Sequence, residues 1–213
     1  MNKNDSEQQY HEIFKNIINS YNKQSDLYGI SPKGVFWQSE VTQNSRFESL
    51  LKIIHKKDYN KPFTITDFGC GYGALYDFIQ KYKFMKNCKY YGYDIVPKFI
   101  NKAKNIHQKQ NFICSDKMLI KTDYTIISGT FNFSTSINVN KWEEYVYDSL
   151  DYSLKNTKFA LALNLLTDKH TIIKKNLFFT TPEKISGFCK KYGETLIVKT
   201  KGAEKDMTIY VYK

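Results

Sequence analysis

Arginine is almost missing from this sequence: Arg46 is the single one, and lysine supplies every other cation. No run of five or more cations occurs, and the densest stretches are the pairs Lys56-Lys57, Lys174-Lys175 and Lys190-Lys191. That excludes a basic arm of the kind that binds nucleic acid. Cations are nonetheless in excess, 32 Lys plus Arg against 21 Asp plus Glu, for a formal net charge of +11. Such a charge attracts nucleic acid, anionic membranes and acidic small molecules without choosing among them. Its dispersal along the chain reads as a generally basic surface. Cys70, Cys88, Cys114 and Cys189 form no Cys-x-x-Cys pair and do not cluster with histidine at zinc spacing. No metal site is expected, and free thiols in a reducing compartment are the simplest account. No apolar stretch approaches the length of a membrane span, and residues 1–9 lack the apolar core of a signal peptide. The expectation is a soluble, cytoplasmic protein without membrane partners. No repeat and no Pro/Gly/Ser-rich linker divides the chain, and 213 residues with 41% hydrophobic content suit one large domain.

What is present is periodicity. Tyr10, Ile13, Phe14, Ile17, Ile18 and Tyr21 recur at helical spacing, and Phe47, Leu50, Leu51 and Ile54 mark a second helix. Gly29, Pro32 and Gly34 punctuate the loop between them. Residues 1–58 thus read as an N-terminal helical cap on a core over 62–213. In that core, 63–68, 89–93, 111–114 and 124–128 read as strands. The nearly unbroken apolar run 159–166 reads as a strand buried on both faces. Between them lie helical faces at Leu75, Phe78, Ile79 and Tyr82, at Phe99, Ile100, Ala103 and Ile106 behind Pro97, and at Trp142, Tyr145, Val146 and Leu150. Thr181-Pro182-Glu183 is a helix start: a cap, then proline, then an acid. Residues 195–198 and 207–212 close the chain as a hairpin turning at Gly202 and Ala203. The predicted fold is α/β: a single doubly wound, Rossmann-like domain. Its mostly parallel seven-stranded sheet has an antiparallel C-terminal hairpin edge and helices on both faces.

The central motif is Asp67-Phe68-Gly69-Cys70-Gly71-Tyr72-Gly73-Ala74, between the first strand and a helix. Glycines there let the backbone approach a ligand that a side chain would exclude, and the helix start presents free N–H groups. Gly69, Gly71 and Ala74 also fit a dinucleotide fingerprint. Three features argue against a dinucleotide. Asp67 stands two residues before the first glycine, poorly placed beside a pyrophosphate and well placed beside an ammonium. Two helices precede the first strand. A further acid, Asp116, ends the third strand. Asp94 ends the second strand, where a carboxylate can bind both ribose hydroxyls. Asp116 can accept from an adenine amino group, and Ile95 can pack on the adenine face. Three acids after three consecutive strands all fall on the carboxyl edge, where such sheets bind ligands.

These motifs, together with Ile126-Ile127-Ser128-Gly129-Thr130-Phe131-Asn132, resemble those of class I S-adenosylmethionine (SAM)-dependent methyltransferases. The similarity runs from about Gly29 to the carboxyl end. It implies that Gly69, Cys70, Gly71 and Gly73 lie along the methionine part of SAM and that Asp67 holds its amino group. Asp94 would bind the ribose, and Asp116 with Lys117 would flank the adenine. Ser128, Gly129 and Phe131 would line the sulfonium and acceptor side. The segment from Gly34 to Phe47 looks like the cap of a bacterial subgroup of uncharacterised small methyltransferases. It contains Trp37, as a cover for the cofactor, and Gln43. Its Arg46 is the candidate for SAM's carboxylate, because a planar guanidinium suits bidentate binding.

Methyl transfer from a sulfonium relies on alignment, with a base needed only if the acceptor must lose a proton. Of His11, His55, His107 and His170, only His170 is expected near the site rim, and no catalytic residue is assigned. The Pro-Pro-aromatic tetrad of amino-methylating nucleic-acid enzymes is missing after the fourth strand, and neither a Pro-Cys nor an Asp-Asn pair occurs. Tyr28, Trp37, Phe131, Phe133, Phe178 and Phe179 suit a small, partly apolar acceptor methylated on O or N, with S-adenosylhomocysteine (SAH) as by-product. An RNA methyltransferase, a SAM-binding protein without turnover and a nicotinamide oxidoreductase are the alternatives. The protein is expected to be a monomer or homodimer.

Overall fold

The computed structural model describes residues 3–136, 138–200 and 205–213. Two helices come first, α1 (Lys3–Tyr28) and α2 (Glu40–Leu51), linked through a 3-10 turn at Lys33–Val35. α2 opens on a capping box: the Ser39 hydroxyl accepts from the Thr42 N–H, and the Thr42 hydroxyl accepts from the Ser39 N–H. That cap sets the helix start, and with it the shared face of Gln43 and Arg46 one turn later.

Strands and helices then alternate as β1 (Phe63–Phe68), α3 (Ala74–Ile79), β2 (Cys88–Asp94), α4 (Pro97–Ile106), β3 (Asn111–Cys114), β4 (Thr122–Ile127), α5 (Val139–Lys155) and β5 (Thr157–Thr167). The chain ends with β6 (Ile172–Lys174), β7 (Leu177–Thr180), α6 (Pro182–Cys189), β8 (Glu194–Lys199) and β9 (Asp206–Tyr212). α6 has the expected start, with the Thr181 hydroxyl accepting from the Lys184 N–H and Pro182 in the first turn.

β3, β2, β1, β4 and β5 lie side by side in parallel. β9 runs antiparallel to β5, and β8 antiparallel to β9. The seven expected strands are all present. Gly202 and Ala203, expected in the last turn, lie outside the described residues. The sheet has nine strands because β6 and β7 form an unforeseen hairpin, which joins in parallel where Leu166 and Thr167 of β5 meet Phe179 and Thr180. Its two turn residues, Lys175 at φ 50° and Asn176 at φ 60°, are left-handed, the geometry of a two-residue hairpin loop. Lysine is not a residue that announces such a turn, so the sequence hides it.

Alternation along the strands divides the core. Leu161, Leu163 and Leu165 of β5 face a layer with Ile13 and Ile17 of α1, Trp142 and Leu150 of α5 and Ile185 of α6. Ala160 and Ala162 face the other layer, with Leu50 of α2, Leu75 of α3 and Ile100 of α4. Both faces are covered, which explains the continuous apolar run in β5.

Candidate active site

β1 and β4 are neighbours, but α3 leaves β1 on one face and α5 leaves β4 on the other. The parting helices open a crevice at the carboxyl ends of the strands, the usual ligand position in such sheets. A cavity of about 400 Å³ lies there. Trp37, Gln43, Arg46, Asp67, Gly69, Cys70, Gly71, Asp94, Ile95, Asp116, Ser128 and Gly129 all line it. Gly73, Lys117 and Phe131 do not. Gly73 caps α3 at φ 92° and turns toward Phe112 and His107. Lys117 is exposed, its backbone N–H bonded to the Ser115 hydroxyl. Phe131 is core, and its carbonyl accepts the Trp142 indole N–H at 3.1 Å.

The glycine loop is built by crowding. Gly69 has φ 81°, and a Cβ there would lie 2.2 Å from the Thr130 hydroxyl, so only glycine fits. The Gly71 N–H donates to one Asp94 carboxylate oxygen and the Val96 N–H to the other, each at 2.8 Å. Asp94 thereby ties the end of β2 to the loop after β1. Burial pushes its carboxyl up to about 6, against the lowering effect of those N–H bonds. Asp67 is 2% exposed and accepts the Tyr90 hydroxyl at 2.6 Å. Burial pushes it up to about 7; the Tyr90 bond lowers it in part, and nearby Asp94 adds a raising contribution. Burial also raises the Cys70 thiol well above its ordinary value, so it stays protonated and is a poor nucleophile.

On the opposite wall, side chains distant in sequence close a ring of contacts. Gly129 has φ 70°, and a Cβ there would lie 2.7 Å from the Trp37 ring. The Arg46 guanidinium lies over that ring, 4.8 Å from its centroid. Arg46 Nε donates to Asp206 at 2.7 Å, and Nη1 donates to the Thr42 carbonyl at 3.0 Å. Asp206 is 1% exposed and also accepts the Thr200 hydroxyl at 2.9 Å and, loosely, the Asn164 amide at 3.5 Å. Asn164 in turn accepts the Gly129 N–H at 2.9 Å. Arg46 thus has a carboxylate partner of its own, lines the cavity, and keeps N–H groups beyond these two bonds.

No family model matches the sequence. The chain is 27% identical over 169 residues to "Putative methyltransferase Rv1506c" of Mycobacterium tuberculosis, covering 76% of this chain and 99% of that protein. Among solved structures, magnesium protoporphyrin IX methyltransferase from Synechocystis PCC 6803 with bound SAM superposes at a TM-score of 0.59 with 16% identity, covering 81% of this chain and 80% of that one. Human N-acetylserotonin methyltransferase in complex with SAM gives 0.64 with 18% identity, covering 96% and 59%. A SAM-dependent methyltransferase from Clostridium acetobutylicum gives 0.56 with 14% identity, covering 90% and 98%. This chain has the class I SAM-dependent methyltransferase fold.

Within that fold the residues present suit SAM. The Ser128 hydroxyl is buried in the cavity wall without a hydrogen-bond partner, and a Cβ on Gly71 would meet nothing within 4 Å. Among the described residues, no cluster of His, Cys, Asp and Glu could hold a metal. Of the aromatics expected around the cavity, Trp37 and Phe133 line it. Tyr28 is exposed, whereas Phe131, Phe178 and Phe179 are core. His170 is exposed and away from the cavity. Sequence reading missed Tyr21, Phe36, Asn132, Tyr145 and Asp206 as cavity residues. Tyr21 and Tyr145 showed only helical spacing. Asp206 stood at the edge of a β-rich run, with nothing to join it to Arg46.

Proposed function

We propose that this protein is an enzyme that transfers a methyl group from SAM to oxygen or nitrogen of a small, partly apolar acceptor, releasing SAH. One observation carries the reading. Asp67 and Asp94, at the carboxyl ends of adjacent strands, flank a glycine loop that opens into one cavity. Bound SAM would supply a methyl group already activated by its sulfonium. Asp67 would hold the ammonium of the methionine part, and the remaining N–H groups of Arg46 would reach its carboxylate. Asp94 would accept from the ribose hydroxyls through lone pairs that Gly71 and Val96 leave free. Ile95 would pack on the adenine, with Asp116 beside it. Trp37 would cover the methionine end and exclude water. Neighbouring folds include enzymes of small acceptors, such as a mitomycin 7-O-methyltransferase, in support of a small-molecule acceptor.

The test is isothermal titration with SAM and SAH, alongside Asp94→Ala. Micromolar binding, weakened about a hundredfold by the substitution, is expected. A folded protein that binds neither ligand overturns the proposal.

A further inference from the structure

Resting on that proposal and narrowing its acceptor, we infer that the acceptor is an uncharged aromatic ring methylated on nitrogen without an enzymic base, and that Tyr21, Phe36 and Phe133 hold it. The three rings gather on the cavity wall beyond Gly129. Phe36 and Phe133 are stacked, with centroids 4.2 Å apart and planes 13° apart. Tyr21 meets both edge-on, at 5.0 and 5.8 Å. Phe36 is 38% exposed and sits at φ 64°, a left-handed backbone that a phenylalanine adopts only under constraint. Phe133 is held from the other side by the unforeseen hairpin. It bridges to Leu177, the Asn132 carbonyl accepts the Phe178 N–H at 2.9 Å, and the Ser134 N–H donates to the Asn176 carbonyl at 2.8 Å. A flat ring placed against this pair gains stacking contact on fixed surfaces.

Charge excludes anionic acceptors. Despite the net charge of +11, no lysine or histidine lines the cavity among the described residues, and Arg46, paired with Asp206 through Nε, gives its remaining N–H groups to SAM's carboxylate in the proposed arrangement. A carboxylate or phosphate acceptor would be buried with no side chain to neutralise it once the sulfonium has given up its charge. Asn132, the residue before Phe133, also lines the cavity. Its amide oxygen accepts the Leu166 N–H at 3.1 Å, which leaves its NH₂ as a donor on the cavity side.

Proton transfer excludes most alcohols and phenols. The cavity's carboxylates are engaged elsewhere: Asp67 by Tyr90, Asp94 by two backbone N–H groups and Asp206 by Arg46. Asp116 is exposed. Tyr21 and Tyr145 hold their protons, because burial raises both, with the charge of Asp94 adding to it at Tyr21 and the charges of Asp116 and Asp94 at Tyr145. A hydroxyl acceptor needs a base; a ring nitrogen with a free lone pair does not. In the transfer, that lone pair forms the new C–N bond and the C–S electron pair leaves with sulfur. The positive charge passes from sulfur to nitrogen. Aromatic faces favour a cation at that position.

The experiment compares isoquinoline, 1-naphthol and 1-naphthoate, which share one ring size. Binding to the SAH-saturated protein is measured by calorimetry, and methyl transfer from SAM by mass spectrometry. Isoquinoline is expected to bind and to be methylated at least about tenfold better than either rival. Phe133→Ala should weaken isoquinoline binding about tenfold while SAH affinity stays the same. The pH midpoint of the rate, taken at saturating SAM, should follow isoquinoline's own protonation and stay in place in Tyr145→Phe and in Asp116→Asn, the other tyrosine and the exposed carboxylate of the cavity. Preference for naphthol or naphthoate overturns the inference. So does a pH midpoint that moves with either variant, and so does SAH binding without binding or methylation of isoquinoline. Failure to bind SAH instead overturns the proposed function.

Discussion

A carboxylate kept from water, such as Asp67, binds its proton more tightly than in the unfolded chain. With its carboxyl pushed up to about 7, the folded protein keeps a proton that the unfolded one has lost by then. Its contribution to stability is therefore complete below the ordinary carboxylate range and is lost as pH rises through about 7. An ammonium beside it reverses that preference. SAM affinity, measured by calorimetry across pH, should rise toward pH 7 and fall again once the ligand's amino group, near about 8, loses its proton. Tyr90→Phe removes the bond that lowers Asp67, so the acid limb should move to higher pH. Arg46 is a second case. Arg46→Ala would leave Asp206, 1% exposed, without its cation. Urea unfolding is expected to show a loss of about 3 kcal/mol, the cost typical of an uncompensated buried charge. Asp67, Asp94 and Arg46 were legible as candidates because an acid at a strand end and a lone arginine stand out in a sequence. The partner of Arg46 was not, because 160 residues separate the pair.

At the scale of elements, α2 is positioned by its cap and the acceptor wall by a hairpin. Ser39→Ala removes the hydroxyl that accepts the Thr42 N–H, the side-chain half of the capping box, and should cost about 1 kcal/mol of stability. Because α2 carries Gln43 and Arg46, SAM affinity should fall with it. Gly129→Ala is expected to harm folding, through the left-handed φ of 70°, and binding as well. The new methyl would meet the Trp37 ring at 2.7 Å, and the ring is the movable partner. A loss of SAH affinity by calorimetry, beyond that seen for an equally destabilised variant, would report the displacement. Helices and the long strands were readable because 3.6-residue and two-sided burial patterns are local. The β6–β7 hairpin was not, since its strands are short and its left-handed residues include a lysine. Without it, Phe133 reads as one aromatic among many.

For the whole molecule, the question is what a net charge of +11 does when none of the described lysines lines the cavity. Dispersed charge attracts polyanions without placing them. RNA association, measured by filter binding, is expected to be weak and to fall steeply between about 50 and 200 mM salt. No methyl group should enter the RNA. Salt-resistant binding with methyl incorporation would restore the nucleic-acid reading.

The sequence alone determined the alternation of strands and helices, the glycine loop and the acids that end β1, β2 and β3. Each depends on spacing along the chain, and spacing is what a sequence records. Tertiary structure alone decided that Trp37, Arg46, Asp206, Asn164 and Gly129 close one ring, and that Tyr21, Phe36 and Phe133 face one cavity. Those groupings come from packing α1, the turn after it and the β6–β7 hairpin over the sheet edge. Contacts of that kind join residues with no periodic relation to one another.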